Sequence, residues 1–305
     1  MLIPDRSKTQ RRRFFPRRAH RLKTVAMLPS MITLINGICG FAAIGLVAKG
    51  PEHFGMAAYL IFYAMIADAL DGRVARISNA TSSFGGQLDS MCDVISFGAA
   101  PAFMMLRVVQ AHRATLIGPV EPMLGDFFNR FIWVTAISYL SCALIRLARF
   151  NVENEEDESA HMAFTGLPTP AAAGVVAALI MFSRHLATDA VFKTSAFSGF
   201  FSGLNMAILY ALPLVILSCG LLMVSRIRYL HLFNHIFRGN KPMNYLYFTL
   251  FVVGMIILCK LELSLVLTFG AFAYSGPIRW AWRKVRRVKT IPMTHHEEPV
   301  INPQT

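Results

Sequence analysis

Asp68, Asp71, Asp89 and Asp93 stand within twenty-six residues of one another, in stretches that are otherwise apolar. An ionised aspartate at membrane depth costs about 2.5–3.5 kcal/mol on insertion scales unless it is paired or hydrated. Four together need a reason, and their spacing supplies one. Asp68 and Asp71 are three residues apart, Asp89 and Asp93 four apart, so on helices each pair shares one face. The polar stretch 78–83 reads as a turn between two helices, which lets the two faces meet. Converging carboxylates repel unless cations sit among them, and an all-oxygen ligand set selects hard ions, Mg²⁺ or Mn²⁺, over zinc. Two such ions held ~3.5–4 Å apart can steady the attacking and leaving oxygens of a displacement at phosphorus. The neighbours suit phosphate chemistry. Gly72 leaves room for a ligand beside the helix, Arg76 offers a guanidinium fork that matches a diphosphate, and Ser82 can donate from the turn. Gly85 and Gly86 are expected to let the second helix pack closely on the first. The plain alternatives are intramembrane salt bridges or an ion path. Against the former, only Arg73 and Arg76 lie near enough in sequence to neutralise four acids.

The elements that carry these faces must be membrane helices. The 305-residue chain is 55% hydrophobic and 15% charged, with a mean hydropathy of +0.49, whereas soluble domains carry about 25% charge. Apolar runs centre on 27–48, 54–76, 84–110, 129–150, 169–188, 205–224, 244–260 and 262–282. Each is long enough to cross the hydrocarbon core with some tilt. Backbone polar groups in lipid must pair within their own segment, which requires helices. Period-two alternation is missing, which excludes a barrel. The fold class that follows is all-α, a polytopic membrane helix bundle. The run at 27–48 exceeds a signal-peptide core of about 7–15 residues and is read as a retained span. Pro168 and Pro170 are expected to start the helix that follows them.

Charge fixes the expected orientation. Residues 1–24 form a basic arm with nine Lys or Arg, and 290–305 read as a disordered tail. With the arm inside, twenty-three of the 30 Lys and Arg fall on the inner side, as the positive-inside rule demands. An even number of spans brings both tails there. The net charge of +13 is spread over tails and loops rather than one face. The expected partner is therefore the anionic lipid of the inner leaflet, not nucleic acid. Residues 225–243 mix basic and apolar side chains and read as a helix lying on that leaflet. His231 and His235 there are four apart, with no third ligand nearby to complete a metal site. The five cysteines sit in apolar runs without a CxxC pair and read as small buried hydrophobes.

The pattern Asp68-x2-Asp71-Gly72-x2-Ala75-Arg76-x8-Gly85-x3-Asp89-x3-Asp93 resembles the CDP-alcohol phosphotransferase signature at every fixed position. The resemblance implies a six-helix core over 25–230, usually homodimeric, with a cytoplasm-facing cavity near the membrane surface. Residues 231–289 would then add two C-terminal transmembrane helices. It implies that the four aspartates are metal ligands, that Asp93 is also the general base, and that Gly72, Arg76 and Ser82 contact the CDP moiety. Further segments are similar to the branch of the family whose acceptor is L-serine. They are Pro29-x3-Thr33-x2-Asn36-x3-Gly40, residues 96–102 (SFGAAPA), 146–151 (RLARFN), 164–172 (FTGLPTPAA) and 224–229 (VSRIRY). Thr33 and Asn36 become candidate substrate contacts. Arg146 and Arg149, three apart at an inner helix end, could bind a lipid phosphate or the serine carboxylate, or could serve only as positive-inside anchors. The activity implied is transfer of the phosphatidyl group from CDP-diacylglycerol to L-serine, with Mg²⁺ or Mn²⁺ in a two-metal site. It is expected in the inner, cytoplasmic membrane with both termini and the active site facing the cytoplasm. The competing readings are the same chemistry with choline, inositol or glycerol 3-phosphate as acceptor, and cation transport through the intramembrane acids.

Overall fold

The computed structural model describes residues 23–77, 83–118, 122–156, 166–190, 192, 197–227, 229 and 260–282. The long elements among them are all helices: α1 (Lys23–Lys49), α2 (Phe54–Ile77), α3 (Ser83–Asp93), a π-helical segment (Val94–Ala99) and α4 (Ala100–Ala111). There follow α5 (Arg113–Ile117), α6 (Pro122–Glu156), α7 (Thr169–Thr188), α8 (Ser198–Val224) and α9 (Lys260–Trp282). Seven stretches among the described residues are long and apolar enough to cross a membrane, with α3, the π segment and α4 acting as one. The chain is a multi-pass, all-α membrane protein. Six of the seven fall within residues 25–230, where the core is expected, and α9 lies within the expected extension. The run at 244–260, the His231/His235 stretch, the basic arm before residue 23 and the tail from 290 lie outside the described residues.

Helices in lipid need no polar face, so burial reveals the inward stripe better than hydropathy does. On α1 the buried positions are Thr33, Asn36, Gly40, Ala43 and Val47, spaced three or four apart, while Met31, Leu34, Ile35, Ile38 and Phe41 face outward. On α2 the inward line is Ala57, Ile61, Ala64, Asp68 and Asp71, with Tyr59, Tyr63, Ile66 and Leu70 outward. Small residues bring helices together where dispersion has to replace the hydrophobic effect. A methyl added at Gly37 would sit 2.9 Å from Cys92 Sγ, and one at Gly40 would sit 2.5 Å from Ser96 Cα. Close approach of α1 to the second acidic helix is therefore made by glycines on α1. Gly86, expected with Gly85 to let α3 pack closely on α2, is exposed and an added methyl there meets nothing within 4 Å. The expectation for Gly86 fails because its side of α3 borders open space.

α7 is buried almost all round by α2, α4, α8 and the π segment, and its run of Ala171, Ala172, Ala173 and Gly174 allows that crowding. Pro168 and Pro170 do open it. The preceding turn is pinned to the end of α8, Gly166 N–H donating to Ile227 O (2.9 Å) and Leu167 N–H to Leu222 O (3.0 Å). Gly166 holds φ +88 with no room for a side chain against the Met223 carbonyl, so this turn requires glycine. α9 starts beside the far end of α7, where Lys260 Nζ meets Asp189 Oδ2 at 2.7 Å. It finishes near the end of α8, where Tyr229 Oη donates to Ala273 O (2.9 Å). The chain thus leaves α8 at one end of the bundle and begins α9 at the other.

Candidate active site

The first half of α1, the end of α2 and α3 lie together toward one end of the bundle, and all four aspartates are there. Asp68 and Asp71 extend the inward line of α2 by one turn, and Asp89 faces them from α3. Each of these three brings a carboxylate oxygen within 4.8 Å of the others. Asp71 is only 5% exposed, and its Oδ2 and Asp89 Oδ1 are buried without a hydrogen-bond partner. Thr33 of α1 hydrogen-bonds the Asp71 carboxylate. Next to Asp71, a methyl added at Gly72 meets nothing within 4 Å, so the α2 backbone borders open space at that point.

Asp93 lies beside this trio, close enough to interact with the charges of Asp68 and Asp89. It is buried, and Asn36 Nδ2 donates to its Oδ1 at 2.9 Å. Arg146 of α6 lies within electrostatic reach of Asp93 and of Arg149. Its Nη1 donates to Thr169 Oγ1 at the start of α7 (2.9 Å), while its Nε is buried with no partner. Ser90, which follows Asp89 directly, donates through its Oγ to Asn151 Oδ1 (2.9 Å) and ties α3 to the end of α6. The structure therefore gathers Asp68, Asp71, Asp89, Asp93, Thr33, Asn36, Gly72 and Arg146 at one end, with Arg149 beside Arg146. The side chains of Arg76 and Ser82 lie outside the described residues.

Three residues that frame the site were not singled out from the sequence for a role: Thr169, Ser96 and Tyr139. Ser96 Oγ donates to the Asn36 carbonyl (2.8 Å), and Tyr139 Oη donates to the Phe97 carbonyl (2.9 Å). Their signal was present. A hydroxyl at membrane depth must find a partner, and each of these three is wholly or almost wholly buried.

With the geometry in view, comparison with known proteins is specific. The family model described as CDP-alcohol phosphatidyltransferase matches residues 26–216, which runs from α1 through most of α8. The chain is 29% identical over 261 residues to the CDP-diacylglycerol–serine O-phosphatidyltransferase of Helicobacter pylori, covering 85% of this chain and 93% of that protein. It is 30% identical over 210 residues to the enzyme of that name from Bacillus subtilis, covering 68% and 92%. To the one from Mycobacterium tuberculosis it is 35% identical over 159 residues, covering 51% and 49%. All four aspartates, Asn36, Arg146 and Thr169 fall inside the matched residues, and the chain belongs to the CDP-alcohol phosphatidyltransferase family.

Proposed function

We propose that this protein transfers the phosphatidyl group of CDP-diacylglycerol to L-serine, giving phosphatidylserine and CMP. The observation that carries the reading is the meeting of Asp68, Asp71 and Asp89 at one point, beside a fourth acid held by Asn36. The relatives named for serine transfer support the acceptor.

The residues fit a divalent cation. Two buried carboxylate oxygens with no protein partner are costly unless a cation satisfies them. The donors are all oxygen, as Mg²⁺ or Mn²⁺ prefers. Asp68, Asp71 and Asp89 would hold it, with Asp93 adjacent for a second ion. When bound, such an ion supplies neutralising charge to the diphosphate and to the leaving CMP. The chain's own groups do the rest. The open space beside Gly72 accepts the nucleotide diphosphate, with Arg76 and Ser82 as its further contacts. Asp93 takes the proton from the serine hydroxyl, whose oxygen attacks the phosphorus that carries the diacylglycerol. The bond from that phosphorus to the bridging oxygen breaks, and CMP leaves with the electron pair. A serine hydroxyl does not ionise unaided near pH 7, so a base within hydrogen-bond reach is required. Asn36 fixes the Asp93 oxygen that faces it, leaving the other for the substrate. Arg146, already bonded to Thr169 through one nitrogen, keeps a buried Nε for the serine carboxylate or a lipid phosphate, which favours a binding role over simple anchoring.

A cation path through the acids would need polar groups that continue across the bundle. Among the described residues the centre beyond the acids is filled by Ala43, Ile61, Phe97, Met104 and Met105, all buried and apolar. The site opens at the cytoplasmic face, on the strength of the basic asymmetry, and the functional unit is a homodimer. Purified protein supplied with CDP-diacylglycerol, Mn²⁺ and labelled L-serine, choline, inositol or glycerol 3-phosphate tests the acceptor. Serine-dependent CMP release well above the other three is expected. Faster turnover of any other alcohol overturns the assignment.

A further inference from the structure

We infer that Tyr139 is a positioning residue for Asp93, acting through the π-helical segment that follows it; the inference rests on the reading of Asp93 as the base. Asp93 is the last residue of α3, and the helix widens directly after it, over Val94–Ala99. The sequence explains the widening. Pro101 lacks the N–H that would bond the Phe97 carbonyl four residues earlier, and its ring presses on that same carbonyl. Such π turns are uncommon and depend on their surroundings to hold them.

Two groups hold this one. From α6, the hydroxyl of Tyr139 supplies the donor that Pro101 cannot, reaching the Phe97 carbonyl at 2.9 Å. From α1, the Asn36 carbonyl accepts from Ser96 Oγ at 2.8 Å, and the backbone at Gly40 lies against Ser96. Asn36 is also the residue whose amide reaches Asp93. One residue of α1 thus sets the π segment with its backbone and the base with its side chain. If the segment slips, Asp93 and Asn36 lose register together. Tyr139 is 0% exposed, and a phenylalanine would fill the same volume. What distinguishes tyrosine there is the single hydrogen bond to the segment behind Asp93.

The test is a double-mutant cycle on serine-dependent CMP release, with thermal melting of each purified variant. Tyr139→Phe is expected to lower kcat about five- to tenfold, with the KM for CDP-diacylglycerol unchanged and only a small fall in melting temperature from the lost buried hydrogen bond. In an Asn36→Ala background, which keeps the backbone carbonyl but removes the amide on Asp93, the same change is expected to have little further effect, because the Asn36–Asp93 contact that the register serves is already gone. An unchanged kcat overturns the inference. So does the same fold loss in both backgrounds, or a loss that falls on KM rather than on kcat. Should Tyr139→Phe fail to yield folded protein, Ser96→Ala releases the other side of the segment and carries the same expectation. Asp93→Asn, run alongside, separates the two ideas. Normal turnover there removes the base, whereas an inactive Asp93→Asn with additive Tyr139 effects removes only the role of Tyr139.

Discussion

A buried carboxylate oxygen with no hydrogen bond is among the least tolerable groups a membrane protein can contain, and Asp71 and Asp89 each contain one. Asp93 differs from them in having a fixed amide donor, Asn36, which suits a proton acceptor that must keep one orientation. Asp93→Asn is expected to lower kcat by ~10²–10⁴, the usual size of a general-base contribution, with little change in the KM for CDP-diacylglycerol. Steady-state CMP release measures it, and wild-type turnover by the variant would end the assignment. The four acids were legible in the sequence because pairs three or four apart on a helix need no tertiary information. Their partners were less so. Asn36 meets Asp93 across 57 residues, and Arg146 meets Thr169 across 23. Such contacts are decided by helix packing, so the sequence could suggest Asn36 and Arg146 as substrate contacts but not what each already holds.

At the scale of elements, α1 lies close against α3 at Gly37, which faces Cys92, and against the π segment at Gly40, which faces Ser96. Gly40→Ala places a methyl against Ser96 Cα, where no rotamer can move away. Overpacking of this kind costs about 1–3 kcal/mol or more, and here it also parts Asn36 from Asp93. Reduced melting temperature together with a loss of CMP release is expected for Gly40→Ala, while Gly86→Ala, with open space around it, should leave both near wild type. Equal effects at the two sites would refute this packing. The expectation that Gly86 packs α3 on α2 fails because a small residue alone does not reveal which face of a helix it occupies. The π segment was likewise visible only in its cause, Pro101. The helix starts at Pro168 and Pro170 were legible because proline fixes the local geometry without help from packing.

Across the whole molecule, seven of the eight apolar runs read from length and hydropathy appear as long helices among the described residues, while the inward faces were not legible. An outward Met31 and an inward Ala43 are equally apolar, and only packing tells them apart. Ile77, exposed at the acid end, and Met123, exposed at the other, provide probes of orientation. In intact cells a membrane-impermeant maleimide is expected to label Met123→Cys and to spare Ile77→Cys; the reverse pattern would invert the topology. The fold brings Asp68 and Asp71 of α2 and Asp89 of α3 within reach of one another, as the proposed shared cation site requires. Mn²⁺ binding to the purified protein, followed by electron paramagnetic resonance beside serine-dependent CMP release, addresses that most directly. Asp71→Asn and Asp89→Asn, one change on each helix, should each weaken Mn²⁺ binding by about 10-fold or more and depress CMP release with it. Undiminished Mn²⁺ affinity and turnover in the protein carrying both changes would show that the two helices do not share a metal site.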